Sequence, residues 1–220
     1  MKMIQRIYDS IMSRGFFTSL RFAYSEILFD IKNDTNTSNF ASITDLDIKN
    51  FDTKESCNYH PTNPHLLDKA FNYLLKNYNL NKLGLIDFGS GEGRVLIYAS
   101  DFQFKKIVGV EFSKQLYEKS IDNLEKVNHS NISVFYDDAT KFNLDDNLNI
   151  FFFFSPFYGS VMERVLKNIE QSYLSNQREI IIIYVNPICK DQILANKNYH
   201  VVFETASGEM LIFGRKTSVL

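Results

Sequence analysis

Four short stretches of the chain hold residue types able to bind a small polar ligand and do chemistry on it. The first is Asp87-Phe-Gly-Ser-Gly-Glu-Gly-Arg94, a carboxylate followed by alternating Gly89, Gly91 and Gly93, with Ser90 between the first two. Glycine lets a backbone turn tightly and a ligand approach without a Cβ in the way. Val95, Leu96 and Ile97 then open a helical run, whose free N–H groups and positive dipole end suit a small polar ligand. The second is Glu111, which closes an apolar run and stands 24 residues beyond Asp87 (111 − 87). A carboxylate at the end of a second strand suits a bidentate hydrogen bond to ribose hydroxyls. The third is Asp137-Asp138-Ala139, and the fourth is Ser155-Pro156-Phe157-Tyr158.

Strands must carry these residues to one edge. Leu83–Asp87, Lys106–Glu111, Ile132–Ala139, Asn149–Tyr158 and Arg178–Pro187 each read as a strand-like run, and the unbroken Ile150–Phe154 stretch is what a central parallel strand buried on both faces looks like. Helical periodicity lies between them. Asn63-Pro64 makes a good N-cap and first-turn pair for a helix carrying Leu66, Leu67, Ala70, Phe71, Leu74, Leu75 and Tyr78 and ending by Asn79. Ser113 caps the next helix, and Ser160 to Glu163 reads as a capping box for another through about Leu174. His200–Thr205 and Met210–Arg215, joined through Ser207-Gly208, predict an antiparallel hairpin.

Residues 1–30 show helical periodicity, with Gly15 dividing them into two helices. Lys2, Arg6, Arg14 and Arg21 face only Asp9, so residues 1–21 could contact an anionic membrane; packing as a cap on the main domain is the preferred expectation. Residues 32–56 turn polar and read as a loop or lid. The expected division is therefore 1–56 as an extension and lid, and 57–220 as the ligand-binding domain.

Composition narrows the function. A net charge of −2 gives no electrostatic case for nucleic acid as the main partner. Two cysteines and four histidines fit no metal-ligand spacing, so no metal is expected. Apolar runs are strand-length, no transmembrane segment or signal peptide is read, and the cytoplasm is the expected compartment. A dinucleotide fingerprint would need glycine where Arg94 stands, yet the acid at Glu111 would serve a nicotinamide cofactor equally well.

Asp87-x-Gly-x-Gly-x-Gly resembles motif I of the class I, seven-strand S-adenosylmethionine-dependent methyltransferases. The resemblance covers roughly residues 57–216. It implies an α/β fold: a doubly wound, mostly parallel seven-stranded sheet with helices on both faces, a C-terminal antiparallel hairpin and an N-terminal helical extension. It implies S-adenosylmethionine as cofactor, with Asp87, Gly89, Ser90, Gly91 and Gly93 at its amino-acid end and Glu111 on the ribose. Asp138, followed by Ala139, would face the adenine amino group, with its neighbour Asp137 as the alternative, and Phe112 would pack on the adenine face. Ser155-Pro156-Phe157-Tyr158 is similar to the motif IV tetrapeptide of amine-modifying members, with Phe157 in place of a second proline. That implies a methyl acceptor held there, a protein side chain or a small-molecule amine, with Tyr59, Phe157 and Tyr158 as a dry aromatic wall. Within the class the chain looks like uncharacterised bacterial members and, more weakly, the lysine methyltransferases of the ATP-synthase c subunit. No residue announces itself as a general base. A nicotinamide oxidoreductase and a non-catalytic nucleoside-binding scaffold are the competing readings.

Overall fold

A computed structural model describes residues 12, 15–48, 53–127 and 130–216. Seven strands form one sheet: β1 (Gly84–Phe88), β2 (Lys106–Glu111), β3 (Ile132–Tyr136), β4 (Leu148–Phe154), β5 (Ile181–Val185), β6 (Tyr199–Glu204) and β7 (Met210–Arg215), in the order β3-β2-β1-β4-β5-β7-β6. The first five are parallel and β7 inserts antiparallel between β5 and β6. The expected doubly wound sheet and C-terminal hairpin are both present. Strand order reverses between β1 and β4, and ligands bind beyond the carboxyl ends of strands at such a switch point.

Period-two alternation splits the core in two. Leu85, Ile107, Ile150 and Phe152 point to the face covered by α2 (Pro64–Asn77) and α3 (Arg94–Ser100), where Phe71 and Leu96 are fully buried. Ile86, Val108, Phe151 and Phe153 point to the other face, against Met162, Val165 and Ile169 of α5 (Gly159–Ser175). With both faces of β4 packed, its continuous phenylalanines need no polar partner side.

The expected caps hold at two helices. Asn63 accepts from the His65 N–H at the start of α2, with Pro64 at its first position, and Ser113 accepts from the Leu116 N–H of α4 (Lys114–Leu124). The capping box at Ser160–Glu163 does not form. α5 starts at Gly159, and Glu55 from the polar segment takes the role instead: its Oε2 accepts from the Val161 N–H and the Ser160 hydroxyl, both at 2.8 Å. An external carboxylate already satisfies the donors that a local Glu163 would have answered. A short helix the sequence reading did not anticipate, α6 (Lys190–Leu194), follows β5.

Gly15 (φ 82°) caps α1 (Phe16–Asn33), as a divider should; the helix expected before it lies outside the described residues. The polar segment after α1 is more ordered than its composition suggests. Asp30 accepts from the Thr37 N–H, the Thr37 and Thr35 hydroxyls and the Ser38 hydroxyl, so the chain wraps round one carboxylate. Burial pushes Asp30 up, and the Ser38 and Thr37 hydrogen bonds with Arg94 bring it below the usual carboxylate range. Ala41 pairs with Tyr59, and Ser56 pairs with Phe157. The described parts of this strap, residues 34–48 and 53–63, lie at the carboxyl edge of the sheet.

Candidate functional site

Asp87 is the penultimate residue of β1, in register with Gly109 and Phe152, and Glu111 ends β2 opposite Tyr136. Parallel pairing thus delivers both acids to the same edge. Over them lies a narrow cleft whose lining includes Tyr59, Asp87, Gly89, Ser90, Glu111 and Phe112. An adjoining, roomier cleft is lined by Phe112, Asp137, Asp138, Ala139, Pro156 and Phe157, among others. Gly89, Phe112 and Pro156 belong to both and divide them. Every cofactor-site residue expected from the sequence lies in or beside this pair of clefts, save that Gly91 and Gly93 are turned elsewhere.

The glycines do different jobs. Gly89 (φ 76°) is in contact range of Pro156: a Cβ here would stand 2.6 Å from the proline Cβ. Gly91 (φ 55°) lies under the Tyr59 ring, 2.0 Å from where its Cβ would be, and its N–H donates to Glu111 Oε2 at 2.8 Å. Gly93 backs onto Ser120 of α4.

Glu111 is buried, and its other oxygen accepts from the Ser113 N–H at 2.8 Å. Burial lifts its pKa to about 7 against these N–H groups, which pull it down. Asp87 is pushed well above the carboxylate range by burial and by the charge of Glu111. Among the described residues neither acid forms an ion pair, so a cationic group bound beside them would draw both toward their ionised forms. The Ser90 hydroxyl, buried with no hydrogen-bond partner among the described residues, adds an unanswered polar group beside them. Asp138 Oδ1 accepts from the Thr140 N–H and hydroxyl, and Asp137 accepts from the Asp138 N–H.

The motif IV residues sit differently from the expectation. Ser155 has φ 38°, and its hydroxyl donates to the Asn186 carbonyl, away from both clefts. Phe157 is buried edge-on against Phe153 with centroids 6.0 Å apart, though it still lines the second cleft. The Tyr158 hydroxyl donates to the Lys54 carbonyl at 2.9 Å, and the Cys57 N–H donates to the Pro156 carbonyl at 3.0 Å. The strap therefore lies directly on this loop. Of the aromatic wall, Tyr59 lines the first cleft and Phe157 the second, and Tyr158 lines neither.

Arg94 and Glu92 are the residues the sequence reading missed. Arg94, 2% exposed, donates to the Thr37 hydroxyl (2.8 Å), the Ser38 hydroxyl (2.6 Å) and the Thr62 carbonyl (3.2 Å), with Glu26 and Asp30 at 3.7 and 3.8 Å. Glu92, also buried, accepts from Asn39 and from Lys119 at 3.0 Å, while the Tyr59 hydroxyl accepts from its N–H. Both charges of the glycine turn are thus spent on holding the strap. The legible signal was a charged pair inside an otherwise apolar, glycine-rich turn.

No protein-family model matches the sequence, and neither does any curated protein. Solved structures do. Magnesium protoporphyrin IX methyltransferase from Synechocystis PCC 6803 with bound SAM superposes with TM-score 0.55 at 13% identity, over 69% of this chain and 79% of that one. Ribosomal protein L11 methylase from Lactobacillus delbrueckii subsp. bulgaricus gives 0.51 at 16% over 71% and 81%. An rRNA methylase from Streptococcus thermophilus gives 0.51 at 12% over 69% and 96%. With its sheet order and antiparallel β7, the chain has the fold of the class I, seven-strand S-adenosylmethionine-dependent methyltransferases.

Proposed function

We propose that the chain is an S-adenosylmethionine-dependent methyltransferase. The observation that carries this reading is the convergence of Asp87, Glu111 and Asp138-Ala139 on one sheet edge around Gly89, at the switch point of this fold. The residues suit the cofactor: buried acids for its cationic amino-acid end, a carboxylate at the end of β2 for ribose hydroxyls, and an acid-lined compartment beyond Phe112 for a base. When bound, the cofactor supplies a methyl group activated on a sulfonium. The chain's part is to align the acceptor at near-attack distance and keep water out. Pro156 and Phe157 form the wall of the second cleft on that side, and strap residues 53–57 lie over them.

The acceptor we read as an amine, with a protein lysine first, an RNA base next and a small-molecule amine last, on the strength of Ser155-Pro156-Phe157-Tyr158. An amine nucleophile must be neutral, and a dry wall at Phe157 helps to keep it so. Because the Ser155 hydroxyl is committed to Asn186, the backbone of this loop is the part left to hold the amine.

A non-catalytic nucleoside-binding scaffold is the second reading, favoured by that same Ser155 geometry and by the strap seated on the loop. A nicotinamide cofactor is disfavoured by Arg94, whose side chain is tied into the strap where the dinucleotide fingerprint needs glycine.

The test compares thermal stability with S-adenosylhomocysteine, S-adenosylmethionine and NAD at matched concentrations, followed by transfer of labelled methyl groups to candidate amines. A ligand at 100 times its Kd stabilises by about 2.7 kcal/mol, a shift of several degrees. Shifts with the adenosyl ligands alone, plus transfer, support the enzyme; shifts without transfer to any acceptor favour the scaffold. A shift with NAD alone overturns the methyltransferase reading.

A further inference from the structure

α1 has two apolar faces, and one of them packs on the described residues of the domain. Phe22 and Phe29 are buried, Phe22 against His65 at 6.0 Å and Phe29 against Tyr98 at 6.3 Å, with the Arg94 guanidinium 5.6 Å from the Phe29 ring. On the opposite side Phe17, Leu20, Tyr24, Ile27 and Ile31 are all exposed, Phe17 by 84% and Ile31 by 71%.

Their spacing is 3, 4, 3, 4 (20 − 17, 24 − 20, 27 − 24, 31 − 27). That is the a/d pattern of a heptad, the narrow stripe that one helix presents to another. With these residues at a and d, Phe22 and Phe29 both fall at f, the position facing directly away from the seam. The domain thus fixes α1 with its seam pointing outward. Phe16 and Leu28, at g and e, are also exposed and widen the stripe.

We propose that a second copy of this chain covers this face, α1 against α1, in a two-fold pair. Two quantities favour that occupant. The seven exposed side chains present roughly 800 Å² of apolar surface per copy, about what a stable interface of standard size buries on each side. α1 also carries two cations, Arg21 and Lys32, and two acids, Glu26 and Asp30, so it has no net charge to draw it to an anionic lipid surface. A patch of this size on a single chain is otherwise a liability. The inner face of the same helix supplies Glu26 and Asp30 to Arg94, so pairing would brace the element that clamps the glycine turn.

The test is the molar mass of the full chain by light scattering over a dilution series, with Leu20→Glu/Ile27→Glu and, separately, Ile31→Lys as variants. All three positions are exposed, and a circular-dichroism melt of each variant reports that it is folded. The expected result is twice 25.6 kDa for the wild type and half that mass for both variants. A wild type that is monomeric throughout, or folded variants that stay dimeric, would overturn the proposal. Flotation with phosphatidylglycerol vesicles of a monomeric wild type, lost in the variants, would assign the face to lipid instead.

Discussion

The Arg94 Nε donates to the Thr37 hydroxyl across 57 positions of sequence, at 2.8 Å and out of contact with water. One side chain of the glycine turn thereby holds the strap that roofs the first cleft. A lysine could place its charge there but not the planar fork that reaches Thr37, Ser38 and Thr62 together. Arg94→Lys should therefore cost about 2 kcal/mol, and Arg94→Met, which leaves Glu26 and Asp30 facing an apolar group, about 3–5 kcal/mol. Urea unfolding with an unchanged m-value checks both.

Glu111 ties stability to pH. Its pKa is about 7 in the folded chain against 4.5 ordinarily, so between those values the folded chain keeps a proton that the unfolded chain has released. Stability should fall as pH rises through that window and level off above it, with Asp87 acting in the same direction. Glu111→Gln should flatten its share of the slope. Asp145, held down to about 2 by Lys106 and the Asn147 N–H, acts in a separate window: its contribution is present above 3.8 and is lost as pH falls toward 2. Urea midpoints from pH 3 to pH 8 separate the two windows, and a Glu111→Gln profile that keeps the upper slope would refute the assignment.

The same carboxylate should matter for the ligand. Glu111→Ala should weaken S-adenosylhomocysteine binding by about 1.5–3 kcal/mol, as for a lost hydrogen bond to a charged group. Wild-type binding should also strengthen as pH rises toward 7, because a hydroxyl donates best to the ionised acid. Calorimetry at two pH values reads both effects, and equal affinity in variant and wild type would remove Glu111 from the site.

Tyr59 and Gly91 are coupled by contact. Gly91→Ala puts a methyl into the Tyr59 ring and asks a non-glycine residue to hold φ 55°. A cost of about 1–3 kcal/mol from the backbone alone is expected, with more from the clash. Adding Tyr59→Ala should recover the clash and leave the backbone cost, so the double variant is less destabilised than the two singles summed.

Glu55, not Glu163, answers the first turn of α5. Glu55→Ala should speed hydrogen exchange at the Val161 amide, whereas Glu163→Ala should leave it unchanged. Equal exchange in both variants would contradict the cap.

Local rules served where local physics decides. The β1 and β4 runs, the Asn63-Pro64 and Ser113 caps and the Ser207-Gly208 turn were legible because each depends on a few neighbouring residues. Asp87, Glu111 and Asp138 were legible because parallel strands put their carboxyl ends on one edge. What could not be read depends on distant partners. Arg94 looks like a failed glycine until Thr37 and Asp30 are known to lie beside it, and Glu163 fits a capping box until Glu55 arrives from 106 positions away. Ser155 was expected to face the ligand, but nothing in its own stretch reveals that the Asn186 carbonyl lies within reach.

The strap is fastened at both ends of the paired clefts: by Arg94 and Glu92 at the glycine turn, and by Pro156, Tyr158 and α5 on the far side. A ligand that occupies both compartments must pass beside residues 57–62, which line the first cleft and are tied at Cys57 to Pro156 and at Thr62 to Arg94. Its exchange with solvent then waits on the parting of those hydrogen bonds, a unimolecular event. The observed association rate should accordingly rise with ligand concentration and then reach a plateau, set by the clasp and not by the ligand.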